Sequence, residues 1–169
     1  MDEIDVCRGM ADSKVHFILN PDLWAICNQD IIDRINTSWS EVKFLDNENN
    51  SLHASMNILP IDRGGIYVFI AKPNIIPDSH LYIFYIGRSL KTQNQNLRKR
   101  CSEYYIDNRP KISRMIRNWG KYLYIRYLPL EDNDFITALE KTLINAILPP
   151  CNDEIPNKKI RDAVKAFSM

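Results

Sequence analysis

The sequence predicts an α+β domain in which a small three-stranded antiparallel sheet is flanked by helices. Two β-branched and aromatic runs lie close together at residues 65–70 and 81–87, and amphipathic segments of helical period follow them. Apolar residues make up 45% of the 169-residue chain. That share supplies a core for one ordinary domain, or for one domain with a short extension. From residue 65 onward the predicted order of elements is ββααβα.

The first sixty residues are predicted to form an acidic extension, mainly helical or irregular, before a main domain of residues 61–169. The extension contains 4 basic residues against 10 acidic ones. Asn20-Pro21 provides a helix cap followed by a proline at the first helical position. The polar run at 46–51 is predicted to be a loop. Because the extension is acidic, we expect it to pack on the main domain, bind a protein partner or mediate a homodimer.

Two strands open the main domain. The run at 65–70 is entered through a pair of glycines, and the run at 81–87 is apolar throughout, as in a strand covered on both faces. The connection between them contains Pro73 and Pro77. The two strands are therefore predicted to form an antiparallel hairpin with a long loop.

Three helices and a third strand complete the predicted domain. The helices are placed at 97–105, 110–119 and 134–148, and the strand at 122–128. Pro110 at a first helical position and Gly120 after the last turn set the bounds of the second helix. Two prolines at 149 and 150 end the third helix.

Composition argues against several classes of protein. The mean hydropathy is −0.32, and an apolar run of the length that crosses a membrane is missing from the sequence. At the N-terminus, acidic residues stand where a secretory signal would carry basic ones. The four cysteines are far apart and lack CxxC spacing, which argues against a zinc site and a disulfide scaffold. We therefore expect a cytoplasmic protein that does not bind membranes.

Charge is strongly segregated along the chain. Residues 61–169 contain 18 basic residues against 11 acidic ones, and residues 88–126 alone contain 11 against two. Such a stretch is typical of a surface that binds a polyanion such as DNA, although a solvated basic surface has the same composition. The residues expected to contact DNA phosphates are Arg98, Lys99, Lys91, Arg114 and Arg117.

Glu140 is the most informative acidic residue. On the predicted helix its neighbours at i−4, i+3, i+4 and i+7 are all apolar, so the carboxylate should face the sheet. Positions i±3 and i±4 offer it no basic partner. An unpaired carboxylate in an apolar site is costly, so a cation must come from elsewhere. A metal ion and a distant arginine both satisfy this requirement.

Tyr67 and Tyr85 each end a strand motif beside or near a glycine. A lone tyrosine in a strand is usually a core residue. Here neighbouring arginines would favour a phenolate that accepts a proton from water. One of these arginines, Arg100, borders the buried face of its predicted helix.

Several motifs in the same order resemble those of a nuclease family. Gly65-Ile66-Tyr67 and Tyr85-Ile86-Gly87 spell the two motifs of the GIY-YIG nucleases. The match continues through Arg88-Ser89, the helix pattern Leu-x-x-Arg-x-x-x-Tyr from Leu97 to Tyr104, Glu140 and Asn152. Over about residues 62–153 the chain resembles this family, in particular the N-terminal nuclease domain of the bacterial excision-repair protein UvrC.

The resemblance implies a metal-dependent DNA endonuclease that leaves a 5′-phosphate and a 3′-hydroxyl, in restriction, phage defence or repair. It implies an active site composed of Tyr67, Tyr85, Arg88, Arg100, Tyr104, Glu140 and Asn152. Glu140 would bind one divalent metal, normally Mg²⁺ with Mn²⁺ able to substitute. The alternative is a DNA-binding module that has the nuclease fold and does not cleave on its own.

Three departures from the family pattern accompany the resemblance. The connection between Tyr67 and Tyr85 is longer than usual, Arg88 replaces the lysine of the excision-repair domain, and Tyr104 replaces the histidine of homing-type members. Both substitutions keep a cation and a hydrogen-bond donor in place. In the implied mechanism Tyr67, directly or through a relay with Tyr85, deprotonates the attacking water.

Overall fold

A computed structural model describes residues 3–36 and 39–167, which form an α+β fold. The helices are α1 Glu3–Asp12, α2 Pro21–Trp24, α3 Gln29–Ile35, α4 Leu97–Glu103, α5 Pro110–Trp119, α6 Asn133–Ile147 and α7 Lys158–Phe167. The strands are β1 Ser40–Lys43, β2 Gly64–Ala71, β3 Tyr82–Ser89 and β4 Leu123–Leu130. Short 3₁₀ helices lie at Ala54–Ile58, Tyr104–Ile106 and Gly120–Tyr122.

The sheet has four strands in the order β1-β4-β2-β3, and each neighbouring pair is antiparallel. The α+β class and the β2–β3 hairpin agree with the sequence prediction. The expectation of three strands is wrong by one, because β1 pairs with the far side of β4. A four-residue strand with Val42 as its buried apolar residue carries too short a pattern to be recognised in a sequence.

Part of the predicted extension belongs to the main core. The side chains that residues 40–59 bury there are Val42, Phe44, Leu45, Met56 and Leu59. Before them, the half-buried side chains of α3 and the α2–α3 connection pack against the cluster under α6. The predicted boundary at residue 60 therefore runs through a shared core, and packing on the main domain is the arrangement that the extension adopts.

The sheet is covered on both faces, which is why all eight positions of β2 are buried. Strand alternation places Tyr67 and Phe69 on one face, in a cluster with α4 and α5. Ile66 and Val68 lie on the opposite face, in a second cluster with α6. The candidate site residues are therefore divided between the two faces of the sheet.

Two glycines of the sequence motifs lie where neighbouring groups approach the backbone closely, and one of them makes room for Tyr67. Gly87 lies opposite Tyr67 in the β2–β3 register, and a Cβ at Gly87 would lie 2.6 Å from the Tyr67 ring. Gly65 has a φ of 148°, and a Cβ there would collide with the carbonyl oxygen of Leu128 on β4. Each glycine thus permits a close approach that a side chain would block.

Helix α7 completes the described chain and was not predicted from the sequence. It buries none of its residues fully, although Ile160, Val164 and Phe167 recur at helical spacing. Within residues 3–36 and 39–167, the helices are all too short or too polar to cross a membrane.

Candidate active site

Three tyrosine hydroxyls form a chain that links the two motif strands through the end of α4. The hydroxyl oxygens of Tyr67 and Tyr104 are 2.8 Å apart, and Tyr104 donates to the hydroxyl of Tyr85 at 2.9 Å. Since a hydroxyl has one proton, Tyr67 must be the donor to Tyr104. The chain therefore runs from Tyr67 through Tyr104 to Tyr85, with Tyr104 as the link between the two motif tyrosines.

Local structure directs Tyr104 towards the sheet. The side chain of Asn96 caps α4 by accepting a hydrogen bond from the amide of Lys99, and Leu97 and Cys101 are buried against the sheet. Tyr104 follows Cys101 by three residues and so lies on the same helix face. It is 1% exposed, and its ring contacts those of Tyr67 and Tyr85 at centroid distances of 5.8 and 5.4 Å.

Burial governs the acidity of this chain. Removal from water raises the pKa of Tyr67 well above its usual range, and the neighbouring Tyr104 and Cys101 raise it further. Arg100 lowers the pKa of Tyr67, but its contribution is the smaller one. Burial likewise raises the pKa of Tyr104. The expectation that neighbouring arginines favour a Tyr67 phenolate is therefore wrong, and the hydroxyl stays protonated at neutral pH.

Two guanidinium groups flank the tyrosine chain. Arg100 lies 5.3 Å from the centre of the Tyr104 ring and pairs with Glu103 at 3.1 Å. Arg109 lies 5.7 Å from the Tyr85 ring centre and pairs with Asp107 at 2.7 Å.

Sequence analysis did not single out Arg109. Arg109 directly precedes Pro110, which starts α5. Nothing in the sequence indicates that the 3₁₀ helix Tyr104–Ile106 turns the chain so that Arg109 lies over the tyrosine rings. The basic stretch at 88–126 was the one available signal.

Arg88 and Glu140 form an ion pair on the α6 face of the sheet. Arg88 Nη1 donates a charge-assisted hydrogen bond to Glu140 Oε2. The Glu140 side chain is 18% exposed and that of Arg88 is 32% exposed. Burial raises the pKa of Glu140, and the lowering effects of Arg88 and Arg100 do not fully offset it. The sequence left open whether a metal ion or an arginine balances the charge of Glu140, and in the structure Arg88 pairs with it.

Asn152 holds the outer edge of β3. Its Oδ1 accepts from the amide of Ile86 at 2.9 Å, and its Nδ2 donates to the carbonyl of Ile86 at 2.8 Å. The backbone amide of Cys151 donates to the carbonyl of Phe84 at 2.9 Å. The side-chain amide thus continues the hydrogen-bond ladder along the strand between Tyr85 and Arg88. Asn152 is a positioning residue.

Two of the expected phosphate contacts are bound to backbone carbonyls instead. Arg98 donates to the carbonyl of Leu59 at 2.9 Å and to that of Asn57. Arg114 donates to the carbonyls of Asp12 and Lys14 at 2.7 and 2.8 Å. Arg98 therefore links α4 to the preceding 3₁₀ helix. Its position on the helix had suggested that it faces solvent.

The other three expected phosphate contacts are exposed. Lys99 donates to the carbonyl of Asn94 at 2.7 Å, and Lys91 contacts the carbonyl of Ile61 at 3.4 Å. Arg117 lies on the surface of α5. These three remain available to a polyanion.

The donor set suits a magnesium ion in one respect. Mg²⁺ in proteins is held by one or two carboxylates, with waters and substrate phosphates completing its shell. Glu140 is the carboxylate among the candidate residues, and groups of three or more His, Cys, Asp or Glu suited to a metal are missing from the described part of the chain. A single carboxylate meets the minimum of that requirement, and in the structure Arg88 pairs with its Oε2.

No protein-family model matches the chain, and neither a curated protein nor a solved structure matches it. The resemblance to GIY-YIG nucleases accordingly stays a prediction from the sequence motifs.

The raised pKa values of Tyr67 and Tyr104 predict a loss of stability in alkali. The folded protein holds these protons more tightly than the unfolded chain, so their contribution is complete below pH about 10 and declines as pH rises through the raised values. Urea unfolding at increasing pH should show a steep decline for the wild type and a shallower one for Tyr67→Phe. The exposed Tyr122 is the matched control, and Tyr122→Phe should retain the wild-type decline. If the stability of the wild type and of Tyr67→Phe declined in parallel with pH, the raised pKa of Tyr67 would be contradicted.

Proposed function

We propose that this chain is a metal-dependent DNA endonuclease of the GIY-YIG type, acting in restriction, phage defence or repair. The chain of three buried tyrosine hydroxyls carries the proposal, because it joins the two motif strands beside two arginines. Phenylalanines would fill the same space without the need to satisfy buried hydroxyls. A continuous hydroxyl chain instead provides a route for a proton.

The direction of the hydrogen bonds between the three tyrosine hydroxyls supports a specific proton path. The attacking water gives a proton to the Tyr67 oxygen, Tyr67 passes its own proton to Tyr104, and Tyr104 passes its proton to Tyr85. Tyr85, the most exposed of the three at 7%, releases a proton towards solvent. The path requires no free phenolate at neutral pH, which agrees with the raised pKa of Tyr67.

The remaining residues stabilise charge and geometry. Water attacks phosphorus as the bond to the 3′-oxygen breaks, and that oxygen takes up a proton from solvent, which leaves a 5′-phosphate and a 3′-hydroxyl. Arg88 and Arg100 neutralise the phosphate oxygens. Glu140 would hold Mg²⁺, which supplies positive charge to the phosphate and the leaving oxygen. Asn152 keeps the β3 edge in register so that Tyr85 and Arg88 stay in place.

The exposed basic residues predict binding to DNA that depends on salt. Each neutralised phosphate contributes a slope of about −0.9 to the dependence of log K on log salt concentration. Lys99→Gln should reduce the slope by about this amount for duplexes of any sequence. Lys43→Gln makes the same charge change on β1 at the far edge of the sheet and should leave the slope unaltered. A flat response of the wild type would argue against a DNA substrate.

A DNA-binding module without cleavage is the second candidate. It is favoured by the burial of Tyr67, which is 0% exposed, and by the pairing of Glu140 with Arg88. In this candidate the Tyr67 hydroxyl is a hydrogen-bonded core group and Glu140 is half of a structural ion pair. Plasmid cleavage in the presence and absence of Mg²⁺ distinguishes the two candidates.

A further inference from the structure

A cavity of about 480 Å³ lies beside the outer edge of β3, away from the tyrosine chain. It forms where the segment 14–18, helix α5, the loop 148–155 and helix α7 meet. Pockets that bind small molecules typically have volumes of about 300–1,000 Å³. The cavity therefore has room for a ligand of moderate size.

The cavity is lined by cations from three separate parts of the chain, the segment 14–18, α5 and α7. They are Lys14, Lys111, Arg114, Arg161 and Lys165, against the single carboxylate of Asp153. Lys111 pairs with that carboxylate at 3.5 Å. The ammonium groups of Lys14 and Lys165 make neither an ion pair nor a hydrogen bond with any residue that the structure describes. Five cations against one carboxylate leave an excess of positive charge in the cavity, which favours an anionic ligand.

Apart from His16 and Asn152, the rest of the lining is apolar or aromatic. Trp119 forms part of the wall, with its ring centre 4.7 Å from that of Phe84. Its indole N–H lacks a hydrogen-bond partner within residues 3–36 and 39–167. Ile18, Leu148 and Val164 extend the apolar wall. A simple inorganic anion would leave this surface in water, whereas a ligand with a flat heterocycle and a charged group would cover both parts.

We propose that this cavity binds a nucleoside phosphate, with the base against the Trp119 wall and the phosphate among the lysines and arginines. A free nucleotide and the terminal nucleotide of a DNA strand share this chemistry. The site lies next to the β3 edge, because Asn152 lines the cavity and its carbonyl accepts from Lys111 at 3.1 Å. Binding here requires no cleavage, so the proposal stands apart from the endonuclease activity.

Calorimetric titration of the full chain at low salt and without Mg²⁺ tests the site. Deoxyadenosine 5′-monophosphate should bind, while deoxyadenosine and inorganic phosphate should each bind at least about tenfold more weakly. The double variant Lys14→Gln/Lys165→Gln should weaken binding of the monophosphate about tenfold, as expected for two solvent-screened charge contacts. Lys158→Gln/Lys159→Gln is the matched control, since it removes the same charge from α7 outside the cavity. The control should stay within about twofold of the wild type.

The proposal is overturned if the monophosphate fails to bind at about 1 mM, if phosphate alone binds as tightly, or if both double variants behave alike. A competition experiment then separates the two sources of the ligand. A single strand with a 5′-phosphate that displaces the monophosphate better than its 5′-hydroxyl form identifies a strand end. Displacement by neither oligonucleotide identifies a free nucleotide. Because Mg²⁺ is omitted, failure of this test leaves the endonuclease proposal unaffected.

Discussion

Replacing Glu140 by glutamine should abolish Mg²⁺-dependent DNA cleavage and leave the protein folded. The substitution removes the one carboxylate among the candidate catalytic residues while keeping the shape of the side chain. DNA affinity in metal-free buffer should stay similar or rise, because a negative charge near the phosphate is lost. Glu41→Gln is the matched control, since Glu41 is also paired and similarly exposed at 23% but lies on β1. The control should cleave like the wild type.

The stability that Glu140→Gln loses depends on the ion pair between Arg88 and Glu140, which the substitution breaks. Breaking a fully buried pair by removing one partner costs roughly 3–5 kcal/mol, because the remaining charge is stranded. The Arg88 side chain is 32% exposed and can turn towards water, and the raised pKa of Glu140 means that burial already disfavours its carboxylate. We therefore expect a loss of about 1 kcal/mol or less in calorimetry, close to that of a solvent-screened pair. A strongly destabilised Glu140→Gln that still cuts DNA would contradict the catalytic assignment.

Tyr67→Phe should lower the single-turnover cleavage rate by about 10²–10⁴, the usual effect of losing a general base. The fold should persist, because the ring keeps its place over Gly87 and only the hydroxyl is removed. Tyr104→Phe should have a similar effect, since it interrupts the hydroxyl chain in the middle. Higher pH should recover part of the rate in both variants as hydroxide replaces the activated water.

Tyr122→Phe removes an exposed hydroxyl outside the chain and should cleave at the wild-type rate. An unchanged rate in Tyr67→Phe would show that another group accepts the proton. If Tyr67→Phe cleaves more slowly but Tyr104→Phe does not, the relay through Tyr104 is excluded. Tyr67 then keeps its role as the group that accepts the proton.

The strands that carry the motifs were predictable because their apolar and β-branched runs are long and continuous. Strand β1 was not, since four residues with one buried side chain give no periodicity, and its place beside β4 is a long-range contact. The burial of Phe44, Leu45, Met56 and Leu59 in the main core was missed, because these contacts are also long-range. Composition separates an acidic segment from a basic one, but it does not reveal which of their apolar residues share a core.

Within the site, the sequence identified the kinds of residue but not their partners. It predicted that Glu140 needs a cation, and the pairing with Arg88 follows from the crossing of α6 over β3, which no local pattern encodes. It left open whether Tyr67 acts directly or through a relay with Tyr85, and it did not predict that the hydroxyl of Tyr104 lies between them. Arg98 appeared solvent-facing from helical spacing, yet it binds carbonyls of a segment about forty residues earlier in the chain.

Incubation of the full chain with supercoiled plasmid tests the endonuclease proposal most directly. With Mg²⁺ or Mn²⁺, the wild type should convert the plasmid to nicked or linear forms, and chelation of the metal should stop the reaction. The new ends should carry a 5′-phosphate and a 3′-hydroxyl, which ligation by a DNA ligase without prior end treatment would establish. A wild-type protein that binds the plasmid in a salt-dependent manner but leaves it supercoiled with either metal would contradict the account and favour the binding module.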